Sequence, residues 1–291
     1  MSLATVVRKQ PETTEYTKHD LLFKDLIQTF FQEFIDVFFP DVHRHIDYHA
    51  AKLLSEEVHT DLHEGKTRRL DIVVETKLKG EDSVIIVHVE PQSYAQSDFH
   101  ERMFHYYSLL YNKYCKPIVP IAVFRYDEKR YEQDTFTIAF PFFHVLTFNF
   151  LKLELRKKNW RDYITSDNPA AAALLSKMGY TDNERVEVKK EFLRMLMRMQ
   201  LNPAKEKMIY GFFESYLKLN EKEEEKLREE IGKTKDGEKI MEYTISYEEK
   251  GKQEARQEVA VEMLEKGVSI DFIAEVTHLE KEEIERLKKT L

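Results

Sequence analysis

The sequence predicts an α/β fold over its first 160 residues and an all-helical region after them. Three observations carry this. An apolar stripe at helical spacing runs up to Pro40, two β-type runs flank the turn Lys79-Gly80-Glu81-Asp82, and beyond residue 160 only helical periodicity remains.

The first helix is expected over 17–39. Thr17 is placed to cap it, Asp20 follows three residues on, and Leu21, Leu22, Leu26, Phe30 and Phe34 form its apolar face. Residues 41–65 show no clear period. The β-type runs are 69–77 and 84–90. Residues 98–116 alternate aromatic and polar side chains at helical spacing, and Pro117 ends them. Further strands are expected at 118–126, 135–139 and 143–150, then helices at 168–178, 185–201 and 203–219. The charged run 221–230 reads as a solvated helical face, and a separate helical tail is expected from Gly251.

Composition excludes several classes. Hydrophobic residues make up 42%, enough for a sizeable core, and eight glycines with eight prolines rule out collagen-like and Gly/Pro-rich disordered chains. The richest apolar window, 138–151, falls short of the roughly 20 residues that span a bilayer, so no membrane span is expected. Arg8 and Lys9 precede no apolar run, so no signal peptide is expected. The single cysteine, Cys115, forms no intrachain disulfide and suits a reducing, cytoplasmic setting. A net charge of −8 argues against a histone-like binder of nucleic acid, but not against an enzyme whose carboxylates cluster at a site.

Such a cluster is readable in the hairpin. With the turn centred between Gly80 and Glu81, paired residues sum to 161, which sets Asp71 opposite Glu90 and Val73 opposite His88. Opposed residues of an antiparallel pair share a face, and Gln92, two past Glu90, points the same way. Opposed carboxylates repel unless a hard divalent cation such as Mg²⁺ or Mn²⁺ sits between them. The alternative is that they are solvated at a strand end or neutralised by Arg68 or Arg69.

Three ordered stretches, His19-Asp20-Leu21-Leu22-Phe23-Lys24, Arg68-Arg69-Leu70-Asp71-Ile72-Val73 and His88-Val89-Glu90-Pro91-Gln92-Ser93, resemble the Rpn family of recombination-promoting nucleases and transposase-like proteins. That family lies within the PD-(D/E)XK nuclease superfamily. Similar stretches continue at 102–117, 191–196 and 211–217. The resemblance implies a restriction-endonuclease-like core, a mixed sheet flanked by helices, over 1–165. A helical extension over 166–250 and a C-terminal helical tail over 251–291 follow. It also implies a metal-dependent DNA endonuclease associated with recombination or mobile elements. Asp71, Glu90 and Gln92 would be its catalytic residues, and Asp71, Glu90 and Asp20 its ligands to Mg²⁺ or Mn²⁺. Gln92 departs from the superfamily lysine: its amide can orient a water but carries no charge. Metal, with Arg69 or Arg102, is left to stabilise the transition state. The alternative reading keeps the fold without catalysis, as a binding or regulatory protein acting through its helical C-terminal half.

Other features are read beside these. Lys152, Arg156, Lys157, Lys158 and Arg161 lie near Phe148, Phe150 and Trp160, a mixture suited to DNA contact or to an ordinary solvated patch. His43, His45, His49, His59 and His63 read as polar loop residues rather than a zinc site, since no Cys pair accompanies them. Tyr94 is either a packing residue or a neighbour of substrate. Met195, Met197, Met199 and Met208 read as packing. The tail resembles a degenerate helix-turn-helix capped by Ser269, with Ile273, Val276, Ile284 and Leu287 inward. Glu280, Glu282, Glu283 and Glu285 crowd its second helix, which favours protein contact or homo-oligomer formation over DNA.

Overall fold

In the computed structural model, which describes residues 13–54, 72–90, 99–124 and 132–291, Lys79 and Gly80 both take positive φ, 52° and 90°. Two consecutive residues of that kind make the tight turn whose twist matches antiparallel strands. The turn is therefore centred one residue earlier than the sequence reading has it, which shifts each strand partner by two. β2 (Ile72–Leu78) pairs β3 (Glu81–Glu90) from Leu78↔Glu81 to Ile72↔Val87, so paired residues sum to 159 rather than 161. Val73 accordingly faces Ile86, not His88. A two-residue shift preserves parity, so odd positions of β2 still share a face with even positions of β3.

β1 (Ile46–Leu54) adds an antiparallel edge beside β2, within the stretch whose sequence shows no period. Its ladder is irregular between Asp47 and Lys52, and the Thr76 hydroxyl donates to the Asp47 carbonyl at 2.9 Å. On the other side β4 (Ile118–Phe124) runs parallel to β3, and β7 (Leu151–Glu154) parallel to β4, giving the order β1-β2-β3-β4-β7. Ile121 to Phe124 are all buried, as expected of a strand covered on both faces. β5 (Thr135–Phe140) and β6 (Phe143–Asn149) form a separate antiparallel ribbon. The segment 143–154 thus passes from one sheet to the other at buried Phe150, its first half in the ribbon and its second in the main sheet.

One face of the sheet packs on α4 (Phe99–Tyr114), whose Phe99, Met103, Tyr106 and Leu110 join Val73, Val84, Ala122, Phe124, Phe148 and Phe150 in one core. The helix expected over 17–39 is two helices, α1 (Thr13–Thr29) and α2 (Phe31–Phe38), because Phe30 leaves helical geometry at φ −119°, ψ 40°. Thr17 lies inside α1 and so does not cap it. Phe23, Leu26, Ile27, Phe30 and Phe34 are buried, while Leu21 faces outward. Pro40 opens the short α3 (Pro40–His43).

Helices fill the rest of the first compact unit, which ends at Glu223. α5 (Pro169–Leu174) is buried on every side, and Asn168 fixes both its ends of contact. Its side-chain oxygen caps the Ala171 N–H at 3.0 Å and its amide donates to the Glu33 carbonyl at 2.8 Å. α6 (Arg185–Met199) and α7 (Pro203–Tyr216) meet through Phe192 and Phe213, stacked at 3.8 Å, and Phe212 meets Phe23 of α1 edge-on at 4.9 Å. Met195 is buried in this packing.

The second unit spans 224–291. α8 (Glu221–Gly232) leads into it, and α9 (Gly237–Glu265) follows, running without interruption through Gly251. The tail therefore does not begin at Gly251: one glycine in a long polar helix is tolerated at a cost of about 1 kcal/mol. α10 (Ile270–Thr277) and α11 (Lys281–Thr290) pack on α9 through Ala260, Ile273, Leu279 and Ile284. The Ser269 oxygen accepts the Phe272 N–H as expected. Val276, read as inward, is 49% exposed.

Candidate active site

Glu90 is the last residue of β3, paired with Phe124 at the end of parallel β4. Phe124 packs edge-on against Phe99, the first residue of α4, with ring centroids 4.8 Å apart. One turn into that helix, Arg102 sets its guanidinium over the Phe99 ring at 5.4 Å. A strand end, a helix start and an arginine therefore meet at one edge of the sheet. At the opposite edge Lys116 pairs with Glu75 and approaches Asp82 to 3.8 Å, fixing the far end of α4 to the hairpin turn. The Glu75 hydrogen bond raises the Lys116 pKa.

Of the residues named from sequence, Asp71, Gln92 and Tyr94 lie outside the described residues, as do His59 and His63. Asp20 lies in α1, a helix that runs against β3. The three carboxylates expected from the sequence as ligands, Asp20, Asp71 and Glu90, would offer oxygen donors alone, a chemistry suited to Mg²⁺ or Mn²⁺ rather than to a thiophilic metal. Among the described residues no three His, Cys, Asp or Glu side chains converge as a metal site.

The basic cluster is held by its own chain. Lys152 reaches Asp134 at 3.2 Å and the Glu132 carbonyl at 2.7 Å. Burial pushes the Asp134 carboxyl up, but the Lys152 contact outweighs it and the pKa is lowered. Arg156 donates to the Met178 carbonyl at 2.9 Å and lies over Tyr180, and Lys157 pairs with Glu154. The Lys158 carbonyl accepts the Gly179 N–H at 2.8 Å. Arg161 binds Glu184 and, at 2.8 Å, Glu187, while covering the Trp160 ring. The Arg161 contact, helped by the Thr181 N–H and hydroxyl, holds Glu184 at about 2. The patch therefore presents less net positive charge than its sequence suggests.

A second constellation escaped the sequence reading. His43 Nδ1 lies 2.9 Å from the Tyr48 hydroxyl and Nε2 lies 3.5 Å from Asp36. Burial, then the Asp36 and Glu33 carboxylates, push the Tyr48 pKa up. His45 Nδ1 is likewise occupied, 2.6 Å from the Asp41 carbonyl. His43 and Tyr48 belong to elements with no readable period, so only their five-residue separation could have signalled the pair.

No family model, curated protein or solved structure matches this chain. Among the described residues no helix is long and apolar enough to cross a membrane.

Proposed function

We propose that this chain is a divalent-metal-dependent DNA endonuclease of the recombination or mobile-element kind. It hydrolyses phosphodiester bonds with Asp71, Glu90 and Gln92, and Asp71, Glu90 and Asp20 hold Mg²⁺ or Mn²⁺. The supporting observation is the β2–β3 hairpin, whose second strand ends at Glu90 paired with Phe124 of parallel β4. The proposal requires Asp71 and Glu90 to lie within reach of one cation on one face of the hairpin. A mixed sheet flanked by helices is the coarse architecture such an enzyme needs.

Bound Mg²⁺ would supply Lewis-acid stabilisation and a water acidic enough to attack phosphorus. The chain's part is to gather carboxylates that repel each other without a cation, and to orient the water through the Gln92 amide. Arg102, at the same sheet edge as Glu90, offers positive charge to the phosphate that Gln92 lacks. Nicking of plasmid DNA by a folded Glu90→Gln chain tests this. The proposal requires at least a hundredfold loss, and undiminished nicking would refute it.

A further inference from the structure

Away from that site, the β5–β6 ribbon carries a surface that the fold itself does not use. From Thr135 to Phe150 the chain has no Lys, Arg, Asp or Glu. The base of the ribbon is anchored: Phe136 stacks on Phe104 of α4 at 5.2 Å, and Phe148 lies 5.1 Å from Tyr107. The tip is not. Phe140, Phe142 and Phe143 are 56%, 87% and 60% exposed, and the rings of Phe140 and Phe142 stack on each other at 5.8 Å. At ~150–250 Å² per aromatic side chain, these three expose roughly 300–500 Å² of apolar surface, which is patch-sized for a whole monomer.

The ribbon also has an open edge. Among the described residues β5 pairs only with β6, and the ladder irregularity makes Val145 an extra residue of β6. A bulge blunts the edge that carries it, whereas the outer edge of β5 has neither charge nor proline to block pairing.

We infer that a second copy of this chain docks here, β5 pairing antiparallel with β5 of the other copy. Identical strands paired antiparallel are related by a two-fold axis, so one edge serves both chains. In that arrangement each phenylalanine tip extends over the base of the other ribbon, where Leu151 is also exposed. The tips alone supply roughly 600–1,000 Å² across two copies, most of what a standard interface of about 1,600 Å² needs before edge residues are added. Charge favours this occupant. Two chains of net charge −8 repel over most of their surface and meet at least cost where neither carries ions. DNA fits poorly, because the ribbon has no cation for phosphate. The inference is independent of the endonuclease reading.

Sedimentation velocity on the full chain across a hundredfold concentration range tests it, with Phe142→Asp and Thr137→Lys variants alongside. Both side chains are exposed, so folding is not at stake, and unchanged circular dichroism verifies that. The expected result is a wild-type dimer and at least tenfold weaker association in each variant. A wild-type monomer throughout, or a dimer that survives both substitutions, would overturn the inference. So would a monomer whose co-sedimentation with phosphatidylcholine vesicles depends on Phe142, which would give the tip to a lipid surface.

Discussion

Glu90 and Phe124 are direct neighbours at the carboxyl ends of two parallel strands, and Phe124 is locked in turn against Phe99 of α4. The end of β3 is thus positioned by aromatic packing rather than by a loop. Phe124→Ala removes a buried ring from that packing and should lower stability by about 3–5 kcal/mol. Urea unfolding measures it, and a loss below about 1 kcal/mol would show that the strand end is held by other contacts.

The hairpin turn makes a second expectation. Lys79 sits at φ 52°, a conformation in which asparagine is more at ease than lysine. Lys79→Asn should stabilise the chain by about 0.5 kcal/mol, and Gly80→Ala, at φ 90°, should destabilise it by about 1–2 kcal/mol. Thermal melts of the two variants should move in opposite directions; movement in the same direction would contradict the two-residue turn.

Gly179 allows the chain to pass close to the basic segment. A Cβ there would stand 2.6 Å from the Arg156 carbonyl oxygen. Since backbone cannot swing aside as a side chain does, Gly179→Ala should cost about 1–3 kcal/mol. A neutral substitution, judged by urea midpoint, would mean that the Arg156 turn shifts freely.

Asn168 acts twice, as a cap and as a donor to Glu33. Asn168→Asp keeps the cap oxygen but loses the donor, whereas Asn168→Ala loses both. Alanine should therefore cost about 1–3 kcal/mol and aspartate less. Equal losses would mean that the bond to Glu33, not the cap, carries the effect.

Acid should weaken the Arg161–Glu184 contact in a defined window. The folded pKa of Glu184, about 2, lies below its ordinary 4.5. The stabilisation is complete above the ordinary value and fades as pH falls from about 4.5 towards 2. Glu184→Gln should flatten the melting-temperature profile across that window and leave its neutral-pH shape unchanged. An identical acid slope in both proteins would assign the loss to other carboxylates.

Much of the fold was legible because burial imposes simple periods. β4 reads as an unbroken apolar run because both its faces are covered, and α4 reads as a helix because Phe99, Met103, Tyr106 and Leu110 share one side. β1 was not legible, since a half-exposed edge strand with an irregular ladder shows no clean alternation. β7 was hidden because no turn residue separates 143–149 from 151–154, and only tertiary packing decides that the chain changes sheets at Phe150. The register slipped by two because a lysine beside Gly80 gives no sign of adopting positive φ. That slip moves the partner of Val73 from His88 to Ile86. The basic cluster was read from its charges and neighbouring aromatics, which carry no trace of Glu184 or Glu187 more than twenty residues away.

The most direct measurement is cleavage of supercoiled plasmid by the purified chain in Mg²⁺, Mn²⁺, Ca²⁺ or EDTA, beside a folded Asp71→Ala variant. Nicking in Mg²⁺ or Mn²⁺ that EDTA abolishes and the variant lacks is the predicted result. Metal-independent cleavage, equal cleavage by the variant, or no cleavage and no metal-induced rise in melting temperature would contradict the proposed endonuclease.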